Sequence, residues 1–338
     1  MREDQRRPYP QVDQYQSYAG TIVPAFRLAY WFFRRLVFAG WFSAGIRAKS
    51  QLDERARRLK VSTAVRDYEA IERVDTFCDA VPRRRARAEE HGSLVLFVPT
   101  GPGWPYYARP RRGSRPPVTV ADIREIRARQ RELVIPESFE WIEQIAPEMT
   151  EAAMGAGLEV QPHPLLVLSG PARAPACLPA LPAGITVRVV APADPELDRI
   201  WAVPAVAFGH PGTAAGQAGV AERDKIAADY DGGTIAMLRE RLRSGHSVVA
   251  AAFGPDGPLG AGSCQAVDGT AEITGVGVLP SARRQGLGAA VTALLAWDAV
   301  ARGVEMVFLS ASDDAVARIY ARIGFREIGV AMIAEPAD

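Results

Sequence analysis

One stretch constrains this chain more than any other: Val276-Gly277-Val278-Leu279-Pro280-Ser281-Ala282-Arg283-Arg284-Gln285-Gly286-Leu287-Gly288. An apolar, strand-like run stops at a proline. A short basic loop follows, with glycines two apart, and then an alanine- and leucine-rich helix begins. A loop feeding a helix N-terminus turns several unpaired backbone N–H groups toward one point, where the helix dipole favours negative charge. Glycine lets the backbone approach closely, and arginine adds charge. The pattern predicts a cradle for a phosphate or pyrophosphate.

The chain has 338 residues, which is long for one domain and suits two. Residues 61–81 carry Val65, Tyr68, Ile71, Val74 and Phe77 at helical steps. A strand is expected over 93–98, then a long Pro/Gly/Arg-rich loop over 99–118 around Tyr106-Tyr107. Thr119 caps a helix running to Leu133, with Ile123 and Ile126 turned inward. Phe139–Ile142 reads as a strand, 147–156 as a helix ended by Gly157, and Leu165–Leu168 as a strand. The proline- and alanine-rich segment 169–184 is the best linker. Beyond it, strands are expected over 185–190, 247–253, 259–266, 271–279, 306–310 and from Gly324-Phe325 onward. Helices are expected over 196–208, 221–243, 286–302 and 314–323. Strands and helices alternate in a mixed α/β order.

This order contains a repeat. Phe139 precedes Gly157 by the same 18 residues that separate Met306 from Gly324. Both spans read strand, acidic turn, helix, glycine with an apolar residue, strand, and a helix precedes each. Residues 61–168 therefore look like a diverged copy of residues 185–338, with 1–60 as an N-terminal extension.

Arg283-x-x-Gly286-x-Gly288 after a strand, with Tyr320-x-x-x-Gly324-Phe325 downstream, resembles the GNAT superfamily of acyl-CoA N-acyltransferases. The element order from Ile185 onward fits that fold; residues 61–168 match it weakly. The resemblance implies two GNAT-like domains of mixed α/β sheet, with acetyl-CoA as acyl donor and a primary amine as acceptor. It places the pyrophosphate on Arg283, Arg284, Gln285, Gly286, Leu287 and Gly288. It places the pantetheine arm against Val276, Gly277 and Val278, on a strand that splays from its neighbour. Tyr320 stands where family members place the tyrosine that protonates the departing CoA sulfur; otherwise it is a buried aromatic. Glu272 stands where some members place a general base; otherwise it faces solvent or pairs with an arginine. Ser312 and Asp313 replace the asparagine often found before the last helix and can cap it equally well. His210 falls where members build the acceptor pocket, or is an exposed loop histidine. Cys264, the cysteine near the site, reads as a small core residue rather than an acyl carrier.

The N-terminal copy lacks this equipment. Ala153 stands four before Gly157, where Tyr320 stands four before Gly324. Arg111-Arg112-Gly113-Ser114-Arg115-Pro116-Pro117 is a poor cradle, because two prolines remove two N–H groups. That half is expected not to catalyse. It would supply an interface or one wall of the acceptor pocket, with Trp104, Tyr106 and Tyr107 as candidates. A non-catalytic acyl-CoA-binding sensor is the rival reading of the whole chain.

Net charge is +1, but residues 1–135 hold 26 basic against 15 acidic residues, and the remainder 14 against 24. No nucleic-acid motif accompanies the basic half, so the arginines read as solubilising or as partners of the acidic half. Three distant cysteines (Cys78, Cys177, Cys264) and four scattered histidines make neither a disulfide framework nor a metal site. A cytoplasmic location follows. Residues 22–46 are aromatic and basic, too interrupted for a spanning helix. They read as an interfacial helix at a membrane surface, a helix packed on the next domain, or a tail. Self-association as a homodimer and the identity of the acceptor are left open.

Overall fold

The computed structural model describes residues 61–100, 106–113, 115–172 and 180–337. The aromatic run 22–46, Trp104, Cys177 and residues 173–179 of the expected linker lie outside them.

The N-terminal half comprises α1 (Val61–Arg83), β1 (Ala86–His91), β2 (Leu94–Pro99), β3 (Arg109–Pro110), α2 (Val120–Glu132), β4 (Phe139–Ile142), α3 (Glu148–Gly155) and β5 (Leu158–Leu168). The C-terminal half comprises β6 (Thr186–Val189), α4 (Leu197–Phe208), α5 (Val220–Ala228), α6 (Gly232–Arg243), β7 (Val248–Gly254), β8 (Gly257–Val267) and β9 (Thr270–Val278). A 3₁₀ turn (Pro280–Ala282), α7 (Leu287–Ala301), β10 (Met306–Ser310), α8 (Asp314–Ala321) and β11 (Phe325–Pro336) complete it.

Much of this is set locally. The Thr119 hydroxyl accepts from the Asp122 amide, and the Asp122 carboxylate accepts from the Thr119 N–H. This capping box opens α2 and buries Ile123 and Ile126. The helix expected over 221–243 is two helices. Asp231 accepts from the Thr234 amide at 2.6 Å and starts a new helix at Gly232-Gly233. The segment 86–91 is a strand that its charged sequence conceals; it pairs along its whole length with β2. β5 begins seven residues earlier than expected, at Leu158 rather than Leu165, and runs through Pro162 and Pro164. The Pro164 carbonyl accepts from Ala311, just past the end of β10. The missing proline N–H thus falls where no neighbouring strand needs it.

The larger sheet has eight strands in the order β4-β11-β5-β10-β9-β8-β7-β6; β1, β2 and β3 form a smaller one. The two copies exchange strands. β11 lies between β4 and β5, and β5 lies between β11 and β10. The copies are offset by 167 residues, from Phe139 to Met306 and from the first residue of α2, Val120, to that of α7, Leu287. Shifting both members of the pair His163↔Ala331 by that offset gives the neighbouring pair Val330↔Pro164, so a local two-fold axis passes between them. The repeat read in the sequence is this symmetry.

α1 packs on one face of the large sheet, where Ile71, Val74 and Phe77 meet Met306 and Phe308, and the Phe77 and Phe308 rings stand edge to face at 5.1 Å. By strand alternation, Val307 and Leu309 turn to the other face and join a core with α7, Tyr320 and Phe325.

Candidate active site

The loop after β9 leaves its backbone donors free. The amides of Ser281, Ala282 and Arg283 bond to the Ala218, Leu279 and Pro280 carbonyls. Among the described residues, the amides of residues 284–289 have no such partner, and the first helical bond of α7 is made by Ala290. No side chain caps α7: its N-cap, Gly286, is left-handed at φ +80° with open space around it. Arg284 also takes a positive φ, +66°, which curls the loop so that successive N–H groups converge.

The strand leading into this loop has a free edge. β9 pairs with β8 as far as Val278 but with β10 only from Thr270 to Glu272. Beyond that point β10 follows β5 instead, pairing Ser310 with Leu165. The β10-facing edge of β9 from Ile273 to Val278, including Val276, Gly277 and Val278, thus has no strand partner among the described residues. A Cβ at Gly277 would stand 2.8 Å from the Ala207 Cβ and 2.9 Å from the Pro204 Cα, so glycine lets α4 cross the strand here.

Arg283 differs from expectation. Its guanidinium donates to four carbonyls, those of Val278 (3.3 Å), Ala207 (2.9 Å), His210 (2.5 Å) and Ala214 (3.2 Å). It ties the segment after α4 to the end of β9 and is not available for a phosphate. Arg284 is exposed and carries the loop's remaining charge. His210 also holds structure, with Nδ1 3.0 Å from the Val206 carbonyl.

At the start of α8, Asp313 accepts from the Val316 amide at 2.9 Å, and the exposed Ser312 hydroxyl donates to Asp313 at 3.4 Å. The Tyr320 ring is buried against Phe325, with centroids 6.3 Å apart. Burial pushes its hydroxyl up to about 12. Cys264 is buried too, and burial, followed by the nearby Asp298 charge, raises its thiol to about 12.

Glu272 is the last residue of β9 paired with β10, and it turns to the face that carries α1. There it lines a small cavity of about 10 Å³, room for roughly one water, with Val74, Cys78, Arg109, Glu140, Trp141 and Phe308. Burial first, then the nearby Glu140 charge, pushes the Glu272 carboxyl up to about 8, with Arg109 opposing. Glu140 is raised for the same leading reason, burial. The structure therefore brings Glu272 together with Glu140 and Arg109, and sets Tyr320 on the opposite face of the sheet. The gap where β9 parts from β10 lies between them.

A family model described as the acetyltransferase (GNAT) family matches residues 219–325. The chain carries a GNAT-family domain. No curated protein matches the chain. Among solved structures, a GCN5-related N-acetyltransferase from Kribbella flavida is 23% identical, with a TM-score of 0.57 over 79% of this chain and 96% of that one. That likeness establishes the fold. A GCN5-related N-acetyltransferase from Sphaerobacter thermophilus is 20% identical, with a TM-score of 0.43 over 62% and 65% of the two chains. A tandem GNAT protein from the clavulanic acid biosynthesis pathway is 18% identical, with a TM-score of 0.42 over 72% and 79%.

The GNAT domain's loop, free edge and tyrosine all come from the matched segment. The cavity beside Glu272 does not. Val74, Cys78, Arg109, Glu140 and Trp141 belong to the N-terminal half, which thus provides a wall, although Tyr106 packs edge-on against Phe97 instead. Arg109 and Glu140 were missed as site residues. The signal for Glu140 was a carboxylate inside Phe139-Glu140-Trp141-Ile142, which strand alternation alone reads as facing solvent. Among the described residues, no three His, Cys, Asp or Glu side chains are grouped to hold a metal, and no helix is long and apolar enough to cross a membrane.

Proposed function

We propose that this protein is an N-acetyltransferase that moves the acetyl group of acetyl-CoA directly to a primary amine. One observation carries the reading: the uncapped start of α7, with free amides from Arg284 to Ala289, adjoins a strand edge without a partner from Ile273 to Val278. The first suits a pyrophosphate, the second an extended amide-bearing arm. Arg284, Gln285, Gly286, Leu287 and Gly288 hold the pyrophosphate, and Val276, Gly277 and Val278 align the arm. Arg283 acts by positioning the loop, and Ser312 and Asp313 border the arm from α8.

Glu272 takes a proton from the incoming ammonium, from the face that carries α1. The free amine attacks the thioester carbonyl, a C–N bond forms and the C–S bond breaks. Tyr320, protonated because of its burial, gives its proton to the leaving sulfur from the other face. The amide nitrogen then loses its second proton. The sum is acetyl-CoA plus ammonium giving N-acetyl amine, CoA and one proton. No acyl-enzyme is involved: Cys264 is a buried, neutral thiol.

In this reading residues 185–338 are the catalytic domain, 169–184 a linker, 61–168 a copy that has lost catalysis, and the enzyme works in the cytoplasm. The test is CoA release from acetyl-CoA across an amine panel, for wild type and Tyr320→Phe. Turnover is expected in wild type, with kcat lowered by about 10²-fold or more in the variant and acetyl-CoA affinity within about twofold. Tight acetyl-CoA binding with no turnover on any amine would overturn the reading in favour of a sensor.

A further inference from the structure

His163, in the middle of β5, is a titratable group that the proposed reaction leaves idle. Its Nδ1 lies 3.2 Å from the Ala311 carbonyl, just past the end of β10. A carbonyl only accepts, so Nδ1 carries the hydrogen and, in the neutral ring, Nε2 carries a lone pair. Among the described residues Nε2 has no hydrogen-bond partner, and the residue is half-buried rather than enclosed. Burial holds the imidazole below its ordinary range, with the Ala311 carbonyl and the Asp313 charge opposing. The register places this ring beside the gap between β9 and β10. Ser310 pairs with Leu165, so His163 stands across from Ser312. Phe308 pairs with Glu272, and the same offset sets Ser312 level with Val276 on the free edge of β9. By alternation His163 shares the face of Leu165 and Val167, which pack with α1, and that is the face of Glu272.

An ammonium nitrogen sheds two protons on its way to an amide, and Glu272 takes the first. We propose that His163 Nε2 takes the second, from the tetrahedral adduct formed when the amine attacks the thioester. The proposal rests on the transferase reading above. The N–H bond breaks, its electron pair stays on nitrogen, and the ring becomes an imidazolium whose Nδ1–H remains on the Ala311 carbonyl. The half-buried ring then passes the proton to water. The charged and titratable groups around it are Asp313 after β10, Glu272 on β9, Glu140 on β4, Arg109 on β3 and Cys78 on α1. Its partner on β11, Ala331, is apolar. The Asp313 charge is the one that reaches the ring, and it favours the imidazolium. His163 belongs to the copy that has no cradle of its own, and it stands here because β5 is the strand beside β10. Its counterpart at the 167-residue offset, Val330, is a buried core residue.

The test compares CoA release by the intact wild-type protein and by His163→Asn across pH, with the amine that turns over best. The Asn side-chain nitrogen stands where Nδ1 does, so the variant keeps a donor to the Ala311 carbonyl and loses only the base. The variant is expected to lower kcat by about 10²-fold near neutral pH, and added imidazole to restore at least about tenfold of that. The ratio of wild-type to variant kcat/KM, in which the amine's own ionisation cancels, should fall toward unity in acid as His163 takes up a proton. If His163→Asn does not fold, the wild-type protein at saturating amine still decides. The acid limb of log kcat against pH should then steepen from a slope of about one to about two. A slope of about one throughout, a variant that keeps its rate, or a lost rate that imidazole does not restore would overturn this proposal and leave the transferase standing. No turnover with any amine would overturn the transferase reading, and this proposal with it.

Discussion

Val120 and Leu287 begin helices that occupy the same place in the two copies, yet the helices start in opposite ways. At α2, Thr119 and Asp122 satisfy each other's backbone donors, and nothing is left over for a ligand. At α7, a left-handed glycine stands where Thr119 does, no side chain caps, and the amides from Arg284 to Ala289 stay free. A cap of this kind contributes about 1 kcal/mol to stability. The C-terminal copy forgoes that and gains an anion site. The same division recurs four residues before each closing glycine, where Ala153 is a buried core residue and Tyr320 carries a hydroxyl. One copy has settled into packing and the other keeps unsatisfied groups.

The sharpest way to break this comparison is to give α7 the cap of α2. Gly286→Thr with Ala289→Asp should weaken acetyl-CoA binding by about 100-fold or more, since a Thr at φ +80° is strained and its cap would take the amides a phosphate needs. Calorimetric titration reads this, with circular dichroism to check that the helix remains; unchanged affinity would remove the cradle from the mechanism.

A smaller effect concerns the other face. Glu272 faces Glu140 and Arg109, with Asp75 and Cys78 behind them. The raised Glu272 carboxyl is ionised only as pH rises, so kcat/KM should climb with pH through a limb near pH 8. Glu140→Gln removes a neighbouring negative charge, ionisation of Glu272 becomes easier, and the limb should move to lower pH. Glu272→Gln should abolish the limb. A limb that ignores both substitutions would exclude Glu272 as base. Smallest is Thr119→Ala: about 1 kcal/mol lost in urea unfolding, with acetyl-CoA affinity unaltered, because that cap serves α2 alone.

The parts of the molecule that depend on near neighbours in sequence were legible. Thr119 announced α2, and the glycines after Pro280 announced the start of α7. Where structure depends on distant partners, the sequence was less informative. The exchange of β5 and β11 rests on pairings such as Leu158↔Pro336, which no local pattern specifies. The sequence suggested a strand only from Leu165, because a strand running through Pro162 and Pro164 depends on a neighbour that ends beside them. Arg283 looked like a phosphate ligand because its charge shows in the sequence, while the four carbonyls around it do not. Glu140 and Arg109 come from separate strands of the N-terminal half, and only folding puts them beside Glu272.

The place of β11 in the sheet also dictates an order of events in the cell. This strand fills the space between β4 and β5, which are synthesised about 170 residues before it. The first copy therefore waits with two strand edges exposed until β11 has been made. Nascent chains are vulnerable over that interval, and the twelve residues of β11 close both halves at once.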